Sequence, residues 1–394
     1  MNKLILNTGV QSFIEENWNA DMMSVLLQKP FFDGVSQKEL VEQLEAKKKC
    51  KDKLPTWFST PSIFYPNKLN IEQTSSEQTA GYKSSLVEGK NLLDLTGGFG
   101  VDTYFFSKKI EAVFHCEINK QLSEIAQYNF KVLGRNNINC IPEDGIHYIQ
   151  NHPKKYDWIY IDPSRRNENI GKVFLLKDCL PNILEHLSLL FDHTKNILIK
   201  VSPILDLVQG LEELSFVKEI HVVAINNEVK ELLYVLEKDY TKSVTVKTIN
   251  LTRDDEMHFD FEHEHEKSCT AEFGDPLTFL YEPNAAILKS GGFKVVGHHY
   301  QVKKLHTHSH LYTSENLVEF PGRRFVIKET LPYSKKTMKR MAQTKANITT
   351  RNFPLSVAEL RKKHKIKDGG DRYLFFSTNY DDSLLVLDCS KELD

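Results

Sequence analysis

Between residues 90 and 240 short apolar runs alternate strictly with helical ones, and that alternation restricts the possible folds more than any other feature. "NLLDL", "AVFHCE", "INCIP", "DWIYID" and "NILIKV" read as strands, each followed by a helix-period segment such as "NKQLSEIAQYNFKVLG" or "FLLKDCLPNILEHLSLLF". Continuous apolar strands joined by helices predict a parallel sheet covered on both faces, an α/β fold. After the last helix, "ILDLVQGLEEL", the runs "KEIHVVAIN" and "ELLYVLEK" lie too close for a crossover helix and should pair antiparallel.

Four parts are expected. Residues 1–89 form a helical N-terminal region, with "SQKELVEQLEAKKKC" starting at Ser36, and 90–240 hold the sheet. Residues 241–320 read as a small α/β domain of short strands with one or two helices. Residues 321–394 carry two basic helices, the second announced by a capping box from Ser356 to Glu359, and end in the strand pair "RYLFFSTN" and "SLLVLDC".

Six scattered cysteines without a CxxC pair predict free thiols in a reducing compartment, the cytoplasm. No export signal is evident, and no window of eighteen apolar residues occurs, so no membrane partner is expected. The net charge of -2 hides a segregation: Pro321 to Lys367 holds fourteen Lys or Arg against Glu329 and Glu359, so +12 there is offset by -14 elsewhere. A basic block of domain size points to an anionic partner, most often nucleic acid. Arg323, Arg324, Lys335, Lys336, Lys339 and Arg340 are its candidate substrate contacts.

The first strand runs into a glycine turn, Asp94 then Thr96, Gly97, Gly98 and Gly100. Such a turn lets backbone approach a ligand at the edge where doubly wound sheets bind nucleotides. The spacing is not GxGxxG, which disfavours NAD. Glu117, at the end of the second strand, is placed to accept two ribose hydroxyls, and Asp144, after the third, to reach an adenine amino group.

On these residues, 91–237 resembles a class I S-adenosylmethionine-dependent methyltransferase. "DLTGGFG" is similar to its cofactor loop, "HCEIN" to the ribose acid, "PEDG" to the adenine contact and "YIDPSRR" to the substrate motif after strand four. The resemblance implies a Rossmann-like seven-stranded sheet and S-adenosyl-L-methionine as cofactor. "EQTSSEQTAGYK" resembles the segment that closes over the methionine end of the cofactor, which implies a role for Ser76 and Glu77. "PGRRF", "ANITTRNFPLS" and "DGGDRYLFF" resemble a THUMP-like domain behind a small ferredoxin-like one. The resemblance therefore implies an RNA partner, tRNA or rRNA.

The atom methylated is open. Asp162 and Pro163 lie where an exocyclic amino group would be held, but Ser164, Arg165 and Arg166 replace the proline and aromatic usual there, and the arginines suit phosphate. Lys83, Asp162, Lys200 and Glu231 resemble instead the tetrad of ribose 2'-hydroxyl methyltransferases, with Lys200 joining Asp162 and Pro163 as a catalytic candidate. Pyrimidine carbon methylation is disfavoured, because no cysteine lies in 157–166 or 196–206. "HTHSHL" and "FEHEHEKSC" offer histidines without a zinc motif, and no metal is expected. Methylation of a protein or small molecule, and RNA binding by a relic cofactor fold, are the rival readings.

Overall fold

A computed structural model describes residues 1–165 and 175–392. Arg166 lies outside them. The alternation in the sequence becomes β1 (Asn91–Asp94), β2 (Ala112–Cys116), β3 (Ile138–Ile141), β4 (Tyr156–Ile161) and β5 (Thr194–Val201), with helices between, followed by β6 (Val217–Ile225) and β7 (Glu228–Glu237). Asn226 and Asn227, the two residues between β6 and β7, have φ of 49° and 64°. Positive φ at both is the turn whose twist suits a two-residue hairpin, and asparagine tolerates it well.

β8 (Thr245–Leu251) runs parallel to β6, and β9 (Glu256–Glu262) runs antiparallel to β8. The strand order is β9-β8-β6-β7-β5-β4-β1-β2-β3. The seven strands implied by the resemblance are present, and β8 and β9 bring the sheet to nine. β1 pairs in parallel with both β2 and β4. The chain thus leaves β1 in one direction and returns on its other side, which opens a crevice at the carboxyl ends of the strands.

The chain divides into two compact units, Met1–Val217 with Leu233–Thr241, and Lys218–Leu232 with Lys242–Asp394. In the first, the N-terminal helices share one core with the helices Val101–Phe106 and Lys120–Val132. Trp57 is fully buried and packs edge-on against Tyr104 at 4.8 Å, and the Asn129 amide bridges both backbone groups of Phe64 at 3.0 and 2.8 Å. Helix Gln37–Lys53 starts at Ser36 with the capping box completed by Glu39.

The second unit holds a seven-stranded sheet built from β10 (Phe279–Pro283), β11 (Lys303–Lys304), β12 (Tyr312–Ser314), β13 (Gly322–Pro332), β14 (Asn347–Arg351), β15 (Arg372–Thr378) and β16 (Leu384–Lys391). Its order is β11-β12-β10-β13-β16-β15-β14. Alternation along β15 sends Phe375 to a core with Leu280 and Phe325, and Leu374 and Phe376 to another beneath the two basic helices, Lys335–Met341 and Val357–His364. All six cysteines are free, and no helix among the described residues is long and apolar enough to cross a membrane.

Candidate functional site

A pocket of about 680 Å³ opens at the carboxyl ends of β1, β2 and β4, in the size range of small-molecule sites, about 300–1,000 Å³. Asp94 ends β1 and is 1% exposed. Its Oδ2 accepts from Thr103 Oγ1 at 2.6 Å and its Oδ1 from the Thr96 N–H at 3.0 Å. Burial, opposed by these bonds, pushes its carboxyl up to about 7.

The glycine turn is pinned to β2, since the Gly97 N–H donates to Cys116 O at 2.7 Å. A Cβ on Gly97 would lie 2.2 Å from Nε2 of His115, which is buried beneath the turn and pushed down by that burial to about 4. On the open side, Gly98 has φ +57°, and a Cβ there would meet only Thr96 O at 3.9 Å. Gly100 serves the fold instead: at φ +84° it starts the helix Val101–Phe106, a Cβ would lie 2.3 Å from Phe130, and it does not line the pocket.

Glu117 follows β2, and its oxygens accept from the N–H groups of Gly98 (2.8 Å) and Asn119 (2.7 Å). Each carboxylate oxygen retains a lone pair, which suits a vicinal diol. Asp144 lines the pocket and caps helix Gly145–Asn151 by accepting the His147 N–H at 2.9 Å.

Asp162 stands just after β4. Its N–H donates to Thr96 Oγ1 at 2.7 Å, which ties this strand end to the glycine turn, and its Oδ2 receives Lys200 Nζ from β5 at 2.5 Å. Pro163 is buried behind it, and Ser164 lines the pocket. Ser164–Arg165 pairs with Cys179–Leu180, a ladder that brings Pro181 and Asn182 to the pocket wall. Lys83 is fully buried, with Nζ 3.2 Å from Asp102 and donating to Ser75 Oγ at 3.1 Å, while Glu231 is buried on β7.

Two expected cofactor residues are turned elsewhere. Ser76 caps the helix Glu77–Ser85, and Glu77 accepts from Thr56 N–H (2.6 Å) and Oγ1 (2.7 Å), so Gln73, Thr74 and Ser75 line the pocket in their place. The helix start claims the Ser76 hydroxyl, which accepts the Thr79 N–H as its cap, while Thr56, on the helix Pro55–Ser59, claims both oxygens of Glu77. Gly145 joins the site without having been expected: a Cβ there would lie 2.4 Å from Leu95 O. Its signal was the glycine in "EDG" at a strand-to-helix turn. Asn182, Glu185 and His186, also in the wall, left no periodic or motif signal.

The basic candidates in the second unit separate into two groups. Arg323 and Arg351 both clamp Glu282, whose side chain is 4% exposed, with Arg323 Nε and Arg351 donating at 2.6 Å each. Arg340 pairs with Glu329 at 2.5 Å. Lys335, Lys336 and Lys339, on one helix, are exposed and make no ion pair among the described residues. Arg324, in β13, is half-buried.

A hairpin strand, β7, inserted between β5 and β6, together with a glycine turn and acids at the ends of β1, β2 and β4, defines a methyltransferase of the Rossmann-like class. The sequence matches a ferredoxin-like domain over residues 279–321 and a THUMP-like domain over 322–391. A crystal structure of a presumed methyltransferase from Porphyromonas gingivalis W83 is 33% identical, covers 99% of each chain and superposes with a TM-score of 0.91. The chain belongs to this family of class I methyltransferases with C-terminal ferredoxin-like and THUMP-like domains. It is also 28% identical over 99 residues to an uncharacterised RNA methyltransferase of Mycoplasma mobile, a match spanning 25% of this chain and 27% of that one.

Proposed function

We propose that this chain transfers a methyl group from S-adenosylmethionine to RNA, tRNA or rRNA, at a base nitrogen. The observation that carries the reading is Asp162 at the pocket wall, whose backbone N–H is held by Thr96 and whose carboxylate is held by Lys200. A nitrogen nucleophile needs an acceptor that orients its lone pair, and a pre-positioned acceptor supplies much of the rate.

The pocket's own residues fit the cofactor. Asp94 is a buried carboxyl with neutral hydroxyl and amide partners, so an amino-acid ammonium would supply the countercharge it lacks. Gly98 leaves room for close approach, Glu117 has acceptors for a ribose diol, and Asp144 stands beside them. When bound, S-adenosylmethionine supplies a sulfonium-activated methyl. Thr96, by holding the Asp162 backbone, couples the cofactor turn to the substrate acceptor.

RNA as the substrate is supported by the THUMP-like match, by the name of the Mycoplasma relative and by the exposed lysines of the helix Lys335–Met341. The test is transfer of labelled methyl from S-adenosylmethionine into total tRNA and rRNA from a strain lacking the protein, followed by nucleoside analysis. Label in one base-modified nucleoside is expected. Label in a 2'-O-methyl nucleoside would replace the base reading with the ribose one, and no label despite cofactor binding would remove RNA as substrate.

A further inference from the structure

We propose that His265, Cys269 and His298 form a zinc site in the second unit, with solvent as fourth ligand. One ligand atom from each of the three lies within 4.8 Å of the others. Zn–N of about 2.0 Å and Zn–S of about 2.3 Å in a tetrahedron put neighbouring ligands roughly 3.3–3.6 Å apart, so side-chain rotation closes the remaining gap. Two imidazoles with one thiolate is a donor set suited to Zn²⁺ rather than to the hard cations Mg²⁺ and Ca²⁺.

The local sequence builds the arrangement in two steps. His265 and Cys269 are four residues apart at helix His263–Ser268, so they share one face. Between them Glu266 accepts from the N–H of Lys294 (3.0 Å) and of Val295 (2.9 Å), which docks the start of helix Phe293–Tyr300. That contact fixes the two helices in register, and His298 then meets His265 with ring centroids 6.0 Å apart.

The three groups are uncommitted. Neither imidazole makes a hydrogen bond among the described residues, and the Cys269 thiol has only the carbonyl of adjacent Thr270 at 3.7 Å. In "HTHSHL", by contrast, His306 bonds Asp382 (3.2 Å) and Asn352 (2.9 Å), and His310 stacks on Phe293 at 3.6 Å. The docking of two helices brings His298 to His265 and Cys269. On binding, the Cys269 thiol releases its proton to solvent as the sulfur–metal bond forms, and both imidazoles bind neutral. The ion would then staple helix His263–Ser268 to helix Phe293–Tyr300.

The experiment uses the full chain, purified without a histidine tag and stripped with chelator, titrated with Zn²⁺ by calorimetry and with Co²⁺ by absorption. One equivalent should bind, with a thiolate-to-cobalt charge-transfer band that Cys269→Ser abolishes. His298→Ala, at an exposed position, should weaken Zn²⁺ at least about tenfold and serves as the second variant, since Cys269 is buried. Absence of binding at one equivalent overturns the proposal. So does binding unchanged in His298→Ala but lost in a His306→Ala/His308→Ala double variant, which would assign the ion to that pair instead.

Discussion

Asp94 shows how one residue links pH, stability and ligand. Its carboxyl is raised to about 7 by burial, so the folded apoprotein holds a proton that the unfolded chain releases at ordinary carboxylate pH. Stability from this group is complete below about pH 4 and is lost as pH rises toward 7. Asp94→Asn, which keeps the shape without the charge, should stabilise the apoprotein at pH 8 by about 1–3 kcal/mol, read by thermal unfolding, and the gain should shrink steadily as pH falls toward about 4. Cofactor affinity should rise between pH 6 and 8 in the parent chain and flatten in the variant; a parent profile without that rise would detach Asp94 from the ammonium. Two other acids divide the work differently. Asp162→Ala should leave cofactor affinity within about twofold while lowering kcat by about 10²-fold or more. Glu117→Ala should weaken cofactor binding, because it removes both the carboxylate proposed to meet the ribose and the bond that orders Gly98. Equal losses of binding in the two variants would overturn this division.

Elements carry the next set of effects. The turn after β1 works because Gly97 lies against His115, with no space for a methyl group. Gly97→Ala should therefore displace the turn, costing about 1–3 kcal/mol of stability and weakening cofactor binding together. The same substitution at Gly98 meets no neighbour in the chain, so any loss there reports φ strain or contact with ligand. In the second unit, the helix Lys335–Met341 presents Lys335, Lys336 and Lys339 without ion-pair partners, whereas Arg323 and Arg340 spend their charge on Glu282 and Glu329. Neutralising the three lysines should weaken RNA binding and reduce its salt slope by about 0.7 for each phosphate that is no longer neutralised. Changing Arg323 should instead lower stability, since it would leave buried Glu282 with one clamp fewer. An RNA affinity more sensitive to Arg323 than to the lysines would reverse this assignment.

At the scale of the molecule, the N-terminal helices are part of the first unit's core. Trp57, Ile63 and Tyr65 are buried together with Phe99, Tyr104 and Phe130, the residues that back the glycine turn and its helix. Trp57→Ala should cost about 3–5 kcal/mol and reduce cofactor binding indirectly, detected as a lowered thermal midpoint that saturating cofactor partly restores. A variant that loses binding without losing stability would mean that Trp57 touches the ligand path instead.

The sequence by itself determined the first seven strands of the sheet, because apolar runs at strand length and helices at 3.6 period are local properties that each segment declares; that β8 and β9, read as part of a separate small domain, join the same sheet was decided by pairing. It also determined the places of Asp94, Glu117, Asp144 and Asp162, since strand ends converge on one edge in any sheet of this winding. Tertiary structure decided what those places face. Ser76 and Glu77 carry the same residue types whether they serve the fold or meet a ligand; the helix start took Ser76 as its cap, and Thr56, on another helix, took Glu77. The charge count treated Arg323 and Lys335 alike, until a buried Glu282, forty-one residues before Arg323 in the chain, claimed the arginine. His298 had no reason to be paired with His265 until Glu266 docked one helix on the other. Partnerships between distant residues depend on packing, and no single segment encodes them.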